Sequence, residues 1–209
     1  MKCFAAAALI LSAWTSAIAA EPTVSLFDGR TFAGWQGDTN KTWRIEQGAF
    51  VGGSLQVKVP QNEFLTTRRS FTNFLLRVKV KLVGSDGFVN GGVQIRSERI
   101  ANPPNEMRGY QCDMGEGYWG ALYDESRRNK MLAQPDAGAV LRALKKTDWN
   151  QYEIRGEGKR IRLWLNGVAM IDYTESDDSI PQFGLIGLQI HGGAKAESSF
   201  KDIEIEELP

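Results

Sequence analysis

The chain has 209 residues, 42% of them hydrophobic and 24% charged, with 25 basic residues set against 25 acidic ones. A balance so near neutrality lacks the electrostatic footprint of a nucleic-acid binder and suits an uncharged or weakly charged ligand. Two cysteines and one histidine cannot build a zinc site of the usual Cys/His spacing, and no segment reaches the ~20 apolar residues that a membrane-spanning helix needs.

The N-terminus reads as a secretory leader. Lys2 precedes an apolar run over residues 4–14, and Ala17-Ile18-Ala19 supplies small residues just before Glu21-Pro22. Residues 1–20 are therefore expected to be removed, leaving 21–209 as one β-sandwich domain of a secreted or periplasmic protein. Loss of the leader takes Cys3 with it and leaves Cys112 without an intramolecular partner, so stability must come from a core.

Short strands are predicted at 24–27, 43–46, 49–51 and 54–57. A long one follows at 74–82, where Phe74, Leu76, Val78, Val80 and Leu82 alternate with Leu75, Arg77, Lys79 and Lys81. Residues 151–155, 161–165, 168–171, 185–190 and 200–206 read the same way, and Asn166-Gly167 is a two-residue hairpin signal. Turn signals such as Asp28-Gly29, Gln47-Gly48, Asp86-Gly87 and Gly192-Gly193 recur at the intervals of an antiparallel sandwich. The period fails within residues 107–147, which predicts a long loop insertion with a short helix at 139–145. Its aromatics Tyr118, Trp119 and Tyr123 are of the kind that packs on sugar rings, or else anchors a loop to a core.

Three polar pairs stand out: Gln94 and Arg96, Gln111 and Asp113, Gln189 and His191. They are interleaved with Val93, Ile95, Tyr110, Cys112, Met114, Leu188 and Ile190. Strand alternation puts the apolar set, Cys112 included, on one face of a sheet and the polar pairs on the other. Such a face offers fixed donors, fixed acceptors and one group that titrates near neutrality, which suits a polyhydroxylated or carbonyl-bearing substrate. Pairing of Arg96 with Asp113, to satisfy two half-buried charges, is the alternative use of those residues.

Several segments together resemble one family in order along nearly the whole mature chain. They are Ser25-Leu26-Phe27-Asp28-Gly29 with Gly34-Trp35, then Asn90-Gly91-Gly92-Val93-Gln94-Ile95-Arg96, Gly109-Tyr110-Gln111, Tyr123-Asp124, Trp149-Asn150, Leu165-Asn166-Gly167 and Gly187-Leu188-Gln189-Ile190-His191-Gly192. The family is that of the 3-keto-disaccharide hydrolases. The resemblance implies an all-β, concanavalin-like jelly-roll sandwich of two curved antiparallel sheets, a secreted or periplasmic setting, and action on oxidised glycosides. The chain departs from the common form at Gln111, where the family usually carries glutamate, and this makes Asp113 the main carboxylate of that strand.

A ketone at sugar carbon 3 acidifies the hydrogen on carbon 2, so the glycosidic bond at carbon 1 can break by elimination, with water addition completing a net hydrolysis. The route needs a base near carbon 2, a donor or cation on the developing enolate, and an acid for the departing oxygen. His191 or Asp113 is the expected base and Arg96 the expected partner of the enolate or keto oxygen. Gln94, Gln111, Gln189 and Asn90 are expected to bind hydroxyls, with Tyr118, Trp119 and Arg127 as further substrate contacts. Tyr123, Glu116 or Asp124 is the expected acid. A non-catalytic lectin-like module is the main alternative. The glucanase motif Glu-x-Asp-x-x-Glu is missing, and no Gly-x-Ser-x-Gly elbow is present. No cofactor is expected, while Asp172, Asp177 and Asp178 leave open a calcium or other oxygen-bound cation. The expected partner is an oxidised carbohydrate, with no nucleic acid and no membrane span; the oligomeric state is left open.

Overall fold

A computed structural model describes residues 22–209, so the expected leader lies outside the described residues. In chain order the strands are β1 (Val24–Ser25), β2 (Trp35–Gln36), β3 (Trp43–Glu46), β4 (Ala49–Ser54), β5 (Glu63–Thr67), β6 (Phe74–Ser85), β7 (Asn90–Arg99), β8 (Met107–Gly115), β9 (Leu122–Glu125) and β10 (Lys130–Ala133). After a short helix α1 (Ala137–Ala143) come β11 (Asn150–Glu157), β12 (Arg160–Leu165), β13 (Val168–Thr174), β14 (Leu185–Ile190) and β15 (Lys195–Glu207). They form two antiparallel sheets. One runs β13-β12-β11-β6-β15-β4-β3 with β1 beside β15, and the other runs β10-β9-β8-β7-β14-β5-β2.

The two-residue period sorts the side chains. Leu76, Val78, Val80, Ile154 and Leu163 from the first sheet meet Val93, Ile95, Cys112, Leu122 and Leu188 from the second, all of them fully buried. The expected all-β sandwich is thus formed, and Cys112 lies on its core side. The Asn166-Gly167 turn carries both residues at positive φ, 50° and 81°, which is the twist a two-residue hairpin requires. Among the described residues no helix is long and apolar enough to cross a membrane.

Three expectations are corrected. The strand expected at 54–57 does not form: β4 ends at Ser54, whose hydroxyl accepts from the backbone N–H groups of Gln56 at 3.1 Å and Val57 at 3.3 Å and closes a turn instead. β5 shows no sequence alternation because both its faces are covered: Phe64, Leu65, Thr66 and Thr67 are all buried. Residues 107–147 are not a loop insertion but contain β8, β9 and β10, one flank of the seven-stranded sheet. The helix begins two residues before its predicted start, since Asp136 caps it by accepting from the Ala139 N–H at 2.9 Å.

What holds that flank is an ion cluster. Asp124, fully buried, accepts from Arg127 at 2.8 Å and from Arg128, and Arg128 reaches Glu175 at 2.6 Å. Glu175 also accepts from the Tyr110 hydroxyl at 2.7 Å and the Tyr173 hydroxyl at 3.0 Å. Burial works against the charge of Glu175, but the bonds from Arg128, the Asp177 N–H and the two phenols outweigh it and hold the carboxyl well below the usual range. Replacing Glu175 by Ala leaves Arg128 with Asp124 alone and two phenols without their acceptor, so urea unfolding should show a loss of about 1–3 kcal/mol.

Candidate functional site

The register of the seven-stranded sheet places Gly187, Gln94, Gln111 and Tyr123 in one row across β14, β7, β8 and β9. Gln189, Gly92 and Asp113 form the next row. Alternation turns these side chains, with Asn90, away from the core, so the sequence-predicted polar floor exists and gathers Asn90, Gln94, Gln111, Asp113 and Gln189 on one face. Gly92 makes the packing possible: a Cβ there would sit 2.6 Å from the Gln111 side chain, which lies across it.

The floor is nearly closed to solvent, with Asp113 3% exposed and the three glutamines at 1% or less. The Gln111 carboxamide donates to Asp113 at 2.7 Å and to Gln189 at 3.0 Å, and accepts from Gln94 at 3.3 Å. Ser97 closes the chain by donating to Gln94. Gln189 Nε2 is buried with no partner among the described residues. An unpaired buried donor costs roughly 1–3 kcal/mol.

Among the described residues Asp113 joins no ion pair. Burial pushes its carboxyl up to about 8, with a smaller push from Glu125, against the opposing bond from Gln111. Glu125 is raised to about 7 by burial and then by Glu106 and Asp124. Glu106 is itself held by the Asn62 side-chain amide at 3.1 Å and the Met107 N–H at 3.1 Å. Neither Glu125 nor Glu106 was anticipated. Glu125 was legible, since it stands two residues from Tyr123 on the same strand; Glu106 lies outside any strand and carried no sequence signal.

His191 follows β14, half-buried, and its Nδ1 lies 2.7 Å from the Gly192 carbonyl oxygen. A carbonyl only accepts, so Nδ1 carries a proton, and the tautomer this selects is the one with its lone pair on Nε2. The ring packs edge-on against Phe88 at 4.9 Å, and Phe88 against Tyr118 at 5.6 Å, making an aromatic rim that the sequence reading had only in part. A cleft of about 500 Å³ opens along the β2–β5 edge between Gln36, Asp38, Glu63, Arg99 and Asn105.

The structure corrects the place of Arg96. A bulge between Ile95 and Glu98 sets Arg96 at φ 48° and turns its side chain off the floor. The guanidinium instead donates to the carbonyls of Thr72 at 2.7 Å and Gly158 at 2.7 Å and to Gln182 at 2.7 Å, and faces Phe74 of the other sheet. It therefore neither meets Asp113 nor reaches the polar face. Asp124 and Arg127 are likewise consumed in the ion cluster, with Arg127 stacked 4.5 Å over Tyr110. Trp119 packs against the core and Tyr152, so it anchors its turn, whereas Tyr118 stands at the rim and Glu116 is exposed.

The acid-rich turn is also occupied by its own neighbours: Asp172 pairs with Arg160, Asp178 with Lys159, and Asp177 accepts from Ser179 at 2.6 Å. Among the described residues no group of three or more His, Cys, Asp or Glu side chains is placed to hold a metal ion.

A family model described as a 3-keto-alpha-glucoside-1,2-lyase-like domain matches residues 22–206. No curated protein matches the chain. Among solved structures, a candidate glycosyl hydrolase from Parabacteroides distasonis superposes with a TM-score of 0.66 at 19% identity, covering 90% of this chain and 94% of that one. A family 66 carbohydrate-binding module from Bacillus subtilis superposes with a TM-score of 0.65 at 18% identity, over 89% of this chain and 100% of the module. A Bacillus subtilis protein of unknown function with a galectin-like fold gives 0.66 at 9% identity, over 90% and 97%. At these identities the likeness is one of fold, the jelly-roll sandwich shared by hydrolases and binding modules.

Because Asp113 titrates near 8 in the folded chain against an ordinary 3.8, the native state holds its proton more tightly than the unfolded state between those values. Its contribution to stability is therefore present at low pH and lost as pH rises from about 4 to 8. Melting curves against pH should show Asp113→Asn gaining on the parent protein across that window, by on the order of a few kcal/mol at its upper end. Parallel curves for the two proteins would show that Asp113 is charged or solvated in the native state.

Proposed function

We propose, since the chain belongs to the 3-keto-alpha-glucoside-1,2-lyase-like domain family, that this carbohydrate-active protein cleaves the glycosidic bond of 3-keto-glycosides by proton abstraction next to the ketone. The observation that carries the reading is the presence of unlike groups at one sheet: a histidine whose Nδ1 is turned to the Gly192 carbonyl, which leaves Nε2 available, and a buried carboxyl raised to about 8. A carboxyl raised by burial is suited to the acid or hydrogen-bond-donor role, which leaves the base to another group. The reading includes an exported protein, a single domain over residues 21–209 and no required cofactor.

His191 is favoured over Asp113 as the base. Its Nε2 takes the hydrogen from carbon 2, and the released electron pair flows toward the carbonyl at carbon 3. The enolate oxygen needs donors, and the supply is the unpartnered Gln189 Nε2–H and the Asp113 hydroxyl rather than Arg96. Collapse of the enolate forms the carbon 1–carbon 2 double bond and breaks the bond to the aglycone oxygen, which takes a proton from an acid of the rim. Tyr123 and Glu125 stand on the correct face for that step. Addition of water across the new double bond then yields the free 3-keto sugar.

The second reading, a lectin-like module, is favoured by one observation: the floor is almost closed, as in a site that presents a surface rather than surrounding a reacting atom. The readings separate in deuterated water with 3-keto-glycosides and their unoxidised parents, following aglycone release and carbon-2 exchange by NMR. The expected result is release from the keto sugars alone, with deuterium at carbon 2. His191→Ala is expected to slow release by about 10²–10⁴-fold and to abolish exchange. Binding without release would establish the lectin-like reading, and release from unoxidised glycosides would refute the elimination route.

A further inference from the structure

We propose a second saccharide site on the outer face of the eight-stranded sheet, one that takes a sugar bearing a carboxylate, a hexuronic acid unit being the smallest example. A cleft of about 160 Å³ lies there, on the opposite side of the sandwich from His191 and Asp113. The register explains its shape. Lys81, Ser199, Val51 and Arg44 occupy one row across β6, β15, β4 and β3, so short side chains, with Ala49, form a trough between long ones.

One wall is cationic and aromatic. The ammonium groups of Lys81 and Lys201 stand 5.1 Å and 4.3 Å from the centre of the Trp149 ring. Among the described residues neither joins an ion pair, although Lys79 on the same strand is matched to Asp202 at 2.7 Å. Two ammoniums gathered at one indole repel each other, and an anion seated between them converts that repulsion into attraction. The facing wall has the reverse character. Arg44 holds Glu46 at 2.6 Å and Glu197 at 2.7 Å, fixing two carboxylates that have lone pairs to spare for hydroxyl donors. A ligand of high negative charge is repelled by that wall, and a neutral sugar forgoes the lysines. A polyol with a single carboxylate satisfies both. This assignment rests on the chemistry of the two walls and is independent of the reaction proposed at the other sheet.

The test is titration of the isotope-labelled protein with sodium glucuronate and, separately, with the methyl ester of glucuronic acid, followed by two-dimensional NMR at low salt. Glucuronate is expected to shift the Trp149 indole N–H with a millimolar dissociation constant, to bind at least about tenfold more tightly than the ester, and to weaken as salt is added. Lys81→Gln and Lys201→Gln should each lower affinity by about tenfold while melting like the parent, since both side chains lie on the sheet surface. Equal binding of acid and ester, shifts at the Gln189 side-chain amide instead of Trp149, or no saturable shift up to ~50 mM would each overturn the proposal. The acid–ester comparison is made on the unaltered protein and decides the matter even where a variant fails to fold.

Discussion

The constraint on which this structure depends is that the inner face of the seven-stranded sheet has to be filled. Val93, Ile95, Leu122 and Leu188 are fully buried in the core between the two sheets, and each such side chain contributes roughly 1.5–3 kcal/mol by leaving water. Because a strand alternates, a slip of one residue would put those groups into solvent and drive Gln94, Gln111, Asp113 and Gln189 into the core. The core thus sets the register, and the register sets the polar floor. The row that joins Gln94 to Gln111 and the row that joins Gln189 to Asp113 exist because their apolar neighbours cannot be moved.

Arg96 is the one residue of the three polar pairs that escapes this rule, and the escape ends the floor. A bulged strand gains a residue without a partner, and here the extra residue delivers its guanidinium to the end of the sandwich, where the Thr72 and Gly158 carbonyls would otherwise lack a donor. Glycines accommodate it. A Cβ on Gly156 would approach the guanidinium carbon to 3.1 Å, and one on Gly184 would meet the Arg96 backbone at 2.5 Å. Burial brings the guanidinium down to about 10, still well above neutrality, so it stays charged and clasps segments between β5 and β6, β11 and β12, and β13 and β14.

Two carboxylates on neighbouring strands meet opposite fates. Asp124 shares its surroundings with Arg127 and Arg128 and serves structure, while Asp113, one face over, accepts from the Gln111 amide and stands near the Glu125 carboxyl. The difference is one of faces: alternation turns Asp124 with Tyr110 and turns Asp113 with Gln111. A carboxyl buried without a nearby cation holds its proton more tightly than one in water. The outer face of the other sheet is built in the contrary sense, with fixed charges of both signs.

The amino-acid sequence by itself determined the class of fold, most of the strands of the first sheet, the Asn166-Gly167 hairpin and the sidedness of Gln111, Asp113 and Gln189, because these depend on a local period of two and on turn residues that demand positive φ. Strands without that period were hidden: β5 is covered on both faces, and β9 and β10 are only four residues each, set among turns whose glycines and charges mask the alternation. Tertiary structure alone decided where Arg96 points, that Asp124 and Arg127 are spent on an ion cluster, that Trp119 is an anchor, and that Phe88 packs on His191. It also decided the protonation of Asp113. A bulge, a distant partner and a local loss of solvent are set by residues far apart in the chain, and no local pattern carries them.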